Sequence, residues 1–139
     1  MAIENKIRVV IIDDYDMTRM LLRIILEGDH YEVVGEAGDG KEGVEISVKL
    51  QPDLILLDVN MPVMNGLEAL QKIHLELPGA IVLMVTGEDD VELVNQAILS
   101  GASGFIIKPF NSDSVRDTLR DVSGKIASKS PSRLLGREN

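Results

Sequence analysis

IRVVIIDDYDMT, residues 7–18, sets a run of strand character directly against three acids, Asp13, Asp14 and Asp16. Arg8 is the only charge in Ile7–Ile12, and every other residue of that run is β-branched. A segment apolar at nearly every position suits a strand covered on both faces, as in a parallel sheet, rather than one with a wet side. Two adjacent carboxylates at its end repel each other and lose hydration near a core. They therefore call either for exposure in a turn or for a cation among them.

Four further runs have the same strand character: YEVVGEA (31–37), DLILLD (53–58), AIVLMVT (80–86) and GFIIK (104–108). Helical segments are expected between and after them, at about 16–27, 39–50, 65–76, 89–100 and 112–127. In the first, Met17, Met20, Leu21, Ile24 and Ile25 recur at threes and fours. Pro52 closes the second segment and Pro78-Gly79 the third, while Gly101 suits a C-terminal cap for the fourth. Asn111 or Ser112 can cap the fifth, and Glu88, Asp89 and Asp90 favour the positive end of the fourth. Five strands alternating with five helices imply an α/β protein with a parallel, doubly wound sheet and right-handed crossovers.

The chain has 139 residues, 45% hydrophobic and 27% charged, enough for one domain with a real core. Without cysteine it has no disulfide, thiolate nucleophile or Cys-based zinc site. His30 and His74 are far apart in sequence, which argues against a His-rich metal site. No signal-peptide pattern opens the chain, and no apolar run approaches the roughly 18–20 residues that span a bilayer, so a cytoplasmic location is expected. Lys125, Lys129, Arg133 and Arg137 against Glu138 give residues 123–139 a net +3, and the total of −9 leaves −12 on residues 1–122. Such a body repels phosphate backbones and suits metal cations and basic partners, so direct nucleic-acid binding is not expected. Residues 1–122 are expected to form the domain; 123–139 read as the end of the last helix and a flexible basic tail, or as a linker to an output domain.

In open α/β sheets, ligands bind beyond the carboxyl ends of the strands. The first strand ends in Asp13-Asp14, the third in Asp58, the fourth in Thr86 and the fifth in Lys108. Thr86 alone would be an ordinary strand-end residue and Lys108 alone a snorkelling one; their weight comes from their company. Three converging carboxylates need a cation, and hard oxygen ligands suit Mg²⁺. An ammonium, a hydroxyl and the bare amide of Gly87 then complete a site for a phosphoryl group. With no cysteine or serine nucleophile placed there, the acceptor is expected to be a carboxylate. Asp58 is the choice, because it stands between the acidic pair and the Thr86–Lys108 side. Asp16 is read as a helix cap, Tyr15 and Met17 as local packing, and Asn65-Gly66 as a turn and helix start.

Asp13-Asp14, LLDVNMPVMNG (56–66), VTG (85–87) and GASGFIIKPF (101–110) together resemble the receiver domain of two-component response regulators, over residues 7–122. With little chain beyond it, the protein is most similar to the single-domain chemotaxis type. The resemblance implies a flavodoxin-like sheet of strand order 2-1-3-4-5 and a phosphoryl group accepted by Asp58 from a sensor histidine kinase. It implies Mg²⁺, or Mn²⁺, held by Asp13, Asp14, Asp58 and the backbone carbonyl of Asn60. It assigns Lys108, Thr86 and the backbone of Gly87 and Asn60 to the phosphoryl group, a cis peptide before Pro109, and a switch role to Thr86 and Phe105. Phe105, having no hydroxyl, is expected to act by packing. Asn60 and Glu88 fall at positions that tune dephosphorylation, and the pair resembles that of short-lived chemotaxis signals. Downstream partners are expected on the face of the fourth helix, fifth strand and fifth helix, with the protein a monomer or a phosphorylation-linked dimer. It is a switch rather than an enzyme, beyond catalysing its own phosphorylation and dephosphorylation.

Two alternatives stand beside this reading. The chain is the receiver part of a larger, DNA-binding regulator; or Asp14-Tyr15-Asp16-Met17-Thr18, which fits D-x-D-x-T, marks a haloacid-dehalogenase-type phosphatase with Asp14 as nucleophile. The absence of G-x-G-x-x-G and G-x-x-x-x-G-K after the first strand argues against a nucleotide-binding module.

Overall fold

A computed structural model describes residues 6–28, 30–87 and 91–129. Its strands are β1 (Ile7–Ile12), β2 (Tyr31–Ala37), β3 (Leu54–Asp58), β4 (Ile81–Gly87) and β5 (Gly104–Lys108). Its helices are α1 (Asp16–Leu26), α2 (Gly40–Leu50), α3 (Gly66–Glu76), α4 (Val91–Leu99) and α5 (Ser112–Lys129). The five strands pair in parallel in the order β2-β1-β3-β4-β5. Every strand expected from sequence is present, and Glu88, Asp89, Asp90 and residues 130–139 lie outside the described residues.

Side chains alternate across the sheet, and both faces are covered. Val9, Ile11, Leu54, Leu56, Ile81 and Leu83 pack on one face with Leu22 and Leu26 of α1 and Leu119 of α5. Val10, Ile12, Ile55, Leu57, Val82 and Met84 pack on the other with Leu70 and Ile73 of α3 and Ala97 of α4. The apolar runs of β1 and β3 are continuous because neither face meets water.

Helix ends follow local chemistry. Asn65 caps α3 in a reciprocal capping box with Glu68. Asn111, rather than Ser112, caps α5: its side chain accepts from the Ser114 amide at 2.9 Å, and the Ser114 hydroxyl accepts from the Asn111 amide at 3.1 Å. Gln51 in the left-handed region ends α2 before Pro52, and Gly101 (φ +109°) follows α4.

α1 departs from expectation. Met17 (63% exposed), Ile24 (58%), Met20 and Leu21 face outward, while Leu22 and Leu26 are buried and Ile25 packs partly against the core. The helix is apolar on two sides; the side with Leu22 and Leu26 turns inward, and Arg19 and Arg23 ion-pair with Glu36 of β2. Asp16 is the first helical residue and not the cap; that position belongs to Tyr15, whose side chain makes no capping bond. Asp16 instead pairs with Arg19 and lies in the first turn, where the helix dipole favours an acid. Tyr15 and Met17 are exposed, not packed.

Candidate functional site

β1 and β3 are neighbours, with β2 outside β1 and β4 and β5 outside β3, so strand order reverses between β1 and β3. Pairing of Ile12 with Leu57, Asp58 with Val85 and Gly87 with Lys108 aligns the carboxyl ends of β1, β3, β4 and β5. Alternation then sorts their side chains. Asp58 and Lys108 follow the parity of Leu56 and Ile106, on the α1–α5 face, whereas Thr86 and Phe105 follow Met84, on the α3–α4 face.

Asp13 (1% exposed) and Asp58 (4%) are buried, and Asp14 is exposed. Oxygens of all three carboxylates lie within 4.8 Å of one another. The Lys108 ammonium donates to Asp58 Oδ1 at 3.3 Å and stands 3.6 Å from Asp13 Oδ2, close enough for attraction but too far for a hydrogen bond. Asp13 Oδ1 accepts from the Tyr15 amide at 2.9 Å, which leaves the buried Oδ2 without a hydrogen-bond partner. Burial, reinforced by the Asp13 charge and opposed by Lys108, pushes the Asp58 carboxyl up to about 6. Burial also raises Asp13, against the Tyr15 amide and Lys108.

One ammonium does not compensate three carboxylates, two of them in the core. The donors are all hard oxygens, an unpartnered one among them, at a cluster with one exposed member. That set fits a small divalent cation such as Mg²⁺, which keeps several waters and takes few carboxylates.

The other expected residues surround this cluster. The Thr86 hydroxyl is buried and donates to the Gly87 carbonyl at 3.4 Å. Phe105 is half-buried against the core on its face. Asn60 is exposed, two residues beyond Asp58. The Lys108–Pro109 peptide is cis. Gly66 is required where α3 starts: a Cβ there would lie 2.2 Å from the Asp58 carbonyl oxygen. Glu88 lies outside the described residues. A cavity of about 490 Å³ between α1 and α5 is lined by Ile7 and Tyr31, at the opposite strand ends, and has no part in this site.

Sequence reasoning missed Arg19. Its side chain is only 18% exposed, and its Nη1 donates to the main-chain carbonyl of Asp13 at 2.5 Å. Its Nε donates to Glu36 Oε1 at 3.2 Å, and its Nη2 pairs with Asp16. The available signal was an arginine three residues after Asp16, on the helix that leaves the acid pair.

The family model for the response regulator receiver domain matches residues 9–120. The chain belongs to the response regulator receiver family. It is 40% identical over 116 residues to the chemotaxis protein CheY of Thermotoga maritima, covering 84% of this chain and 97% of that one. It is 38% identical over 135 residues to the transcriptional regulatory protein LiaR of Bacillus subtilis, covering 94% of this chain and 64% of LiaR. A chain of the CheX–CheY complex with BeF₃ and Mg²⁺ from Borrelia burgdorferi superposes with a TM-score of 0.80 at 29% identity, covering 84% of this chain and 88% of that one. This receiver is therefore a signalling module of two-component systems, which act with histidine kinases and downstream targets. Its acidic cluster is of the kind with which receivers bind Mg²⁺. Among the described residues no helix is long and apolar enough to cross a membrane.

Proposed function

We propose that Asp58 is the phosphoacceptor of this receiver, supported above all by a buried carboxylate bonded to Lys108 beside two further acids. A histidine kinase presents a phosphohistidine, Asp58 attacks the phosphorus in line, the P–N bond breaks and the imidazole leaves. Asp13, Asp14, Asp58 and the Asn60 carbonyl would hold Mg²⁺, or Mn²⁺, which when bound neutralises charge on the phosphoryl oxygens. Lys108 pairs with one of those oxygens, and the Gly87 amide and the Thr86 hydroxyl bond another. Attack of water on the phosphorus breaks the P–O bond to Asp58, releases inorganic phosphate and returns Asp58 to its carboxylate, so the receiver catalyses only its own phosphorylation and dephosphorylation.

Thr86 and Phe105 lie on neighbouring strands and share one face, which supports a coupled switch. As Thr86 turns toward the phosphoryl group, Phe105 packs into the space it leaves, and the α4–β5–α5 surface changes its preference for partners or for a second copy. The outward apolar stripe of α1 (Met17, Met20, Leu21 and Ile24) flanks the acids and is the surface on which the kinase docks. Residues 1–122 form the receiver, which acts in the cytoplasm without touching nucleic acid. The phosphatase reading has no support in the geometry: Asp14 is exposed, and Lys108 serves Asp58 and Asp13.

The test is incubation with acetyl phosphate and Mg²⁺, followed by intact mass. One phosphoryl group is expected, lost on Asp58→Asn substitution or on chelation of the metal. Equal labelling of Asp58→Asn would overturn the assignment, and labelling of Asp14 with phosphoester turnover would favour the phosphatase.

A further inference from the structure

Asp13 is the least solvated acid of the cluster, and its Oδ2 has no hydrogen bond to fix its direction. Its carboxylate is aimed by the Tyr15 amide and by the main chain at residue 13. On one side that main chain is tied to the sheet, through the Asp13 amide on the Ala37 carbonyl at 3.0 Å. On the other side its carbonyl accepts from the Arg19 guanidinium at 2.5 Å. The carbonyl of residue 13 belongs to the peptide that leads into Asp14, so holding it sets the direction of both acids.

Arg19 is itself held. Its Nε bonds Glu36 of β2 at 3.2 Å, and the other oxygen of Glu36 pairs with Arg23 one helical turn further on. Asp16 pairs with a third nitrogen of Arg19. A planar guanidinium spreads its donors over three nitrogens in a fixed fork and so reaches acceptors on separate elements, whereas a lysine's three donors share one nitrogen. Arg19 and Glu36 are 18% and 27% exposed, so their bond is screened less than a surface pair, whereas Asp16 is 91% exposed and adds little to the hold.

The geometry points to Arg19 as a positioning residue for the metal pocket: by clamping the Asp13 carbonyl to Glu36 of β2, it preorganises Asp13 and Asp14 for Mg²⁺. It touches neither the metal nor the phosphoryl group and acts through the acids it aims. Supporting residues of this kind change metal affinity by about 10–100-fold in well-studied sites. Here the tie runs through a main-chain carbonyl rather than a ligand side chain, so the lower end of that range is expected.

This inference rests on the Mg²⁺ reading of the acid cluster. The experiment is calorimetric titration of wild type, Arg19→Gln, Arg19→Lys and Glu36→Gln with MgCl₂, together with thermal unfolding of each in EDTA. Arg19→Gln is expected to weaken Mg²⁺ binding about tenfold. Arg19→Lys, keeping one donor for the Asp13 carbonyl, should recover part of that loss, and Glu36→Gln should weaken binding two- to threefold with Arg19 intact. If Arg19→Gln lowers the unfolding temperature but binds Mg²⁺ within twofold of wild type, Arg19 is only a structural cross-link and the inference fails. Should Arg19→Gln not fold, Glu36→Gln decides: unchanged affinity refutes the clamp. A wild type that takes up no Mg²⁺ would instead refute the metal reading itself.

Discussion

Replacing Asp58 with asparagine should make the metal-free protein more stable at neutral pH. The Asp58 carboxyl moves from its ordinary 3.8 to about 6 on folding, because burial and the Asp13 charge outweigh Lys108. At about 1.36 kcal/mol for each tenfold change in acidity, the fold bears about 3 kcal/mol against the ionised form. The sign follows from proton counts. Between pH 3.8 and about 6 the folded state binds more protons at this site than the unfolded chain, so stability falls as pH rises through that window. Above it the penalty is complete, and below it the penalty is absent. Asparagine keeps the shape and removes the charge. In EDTA at pH 7.5 the variant should gain about 3 kcal/mol, a urea midpoint higher by about 1–2 M at ordinary denaturant slopes. Near pH 4 the two proteins should unfold together. Added Mg²⁺ should narrow the gap at pH 7.5, since it stabilises the protein whose acids bind it. An equal or lower midpoint for the variant at pH 7.5, or the same gain at both pH values, would refute the reasoning.

Three further outcomes follow from the same geometry. Gly66→Ala should destabilise the protein by about 3 kcal/mol or more in urea unfolding, because its Cβ falls 2.2 Å from the Asp58 carbonyl oxygen, where neither side is flexible. Ile24→Glu on the outward face of α1 should slow phosphoryl transfer from the cognate kinase at least tenfold, with labelling by acetyl phosphate unchanged. Thr86→Ala should still be labelled at Asp58, but the resulting change in partner affinity, read by titration with the phosphorylated protein, should fall about tenfold.

The fold was legible because strand and helix announce themselves by different periods. β1 and β3 are buried on both faces, so their continuous apolar runs located them within a residue, and Pro52, Pro78 and Gly101 marked helix ends. The acids, Thr86 and Lys108 were legible because each is a polar residue ending an apolar strand. α1 was harder: Met17, Met20, Leu21 and Ile24 have good helical spacing, yet Leu22 and Leu26 go inside. Periodicity finds an apolar stripe but does not say which of two faces the core; the contacts of Arg19 and Arg23 with Glu36, on a strand distant in sequence, are also invisible to it. The bond from Arg19 to the Asp13 carbonyl left no trace either, since a main-chain acceptor has no residue type of its own.

The burial of β1 and β3 on both faces divides the molecule mechanically. Asp13 and Asp58 are fastened to strands whose side chains are enclosed above and below, so the charged half of the site behaves as a fixed frame. β5 is an edge strand, with Ile107 partly open to water and Phe105 only half-covered, and α4 presents Val91, Ile98 and Leu99 outward. Dense interiors resist small displacements, while sparsely covered elements rearrange at little cost. If Asp58 accepts the phosphoryl group as proposed, the charge added there would meet sparsely covered neighbours in β5 and α4, on the side where partners are proposed to bind.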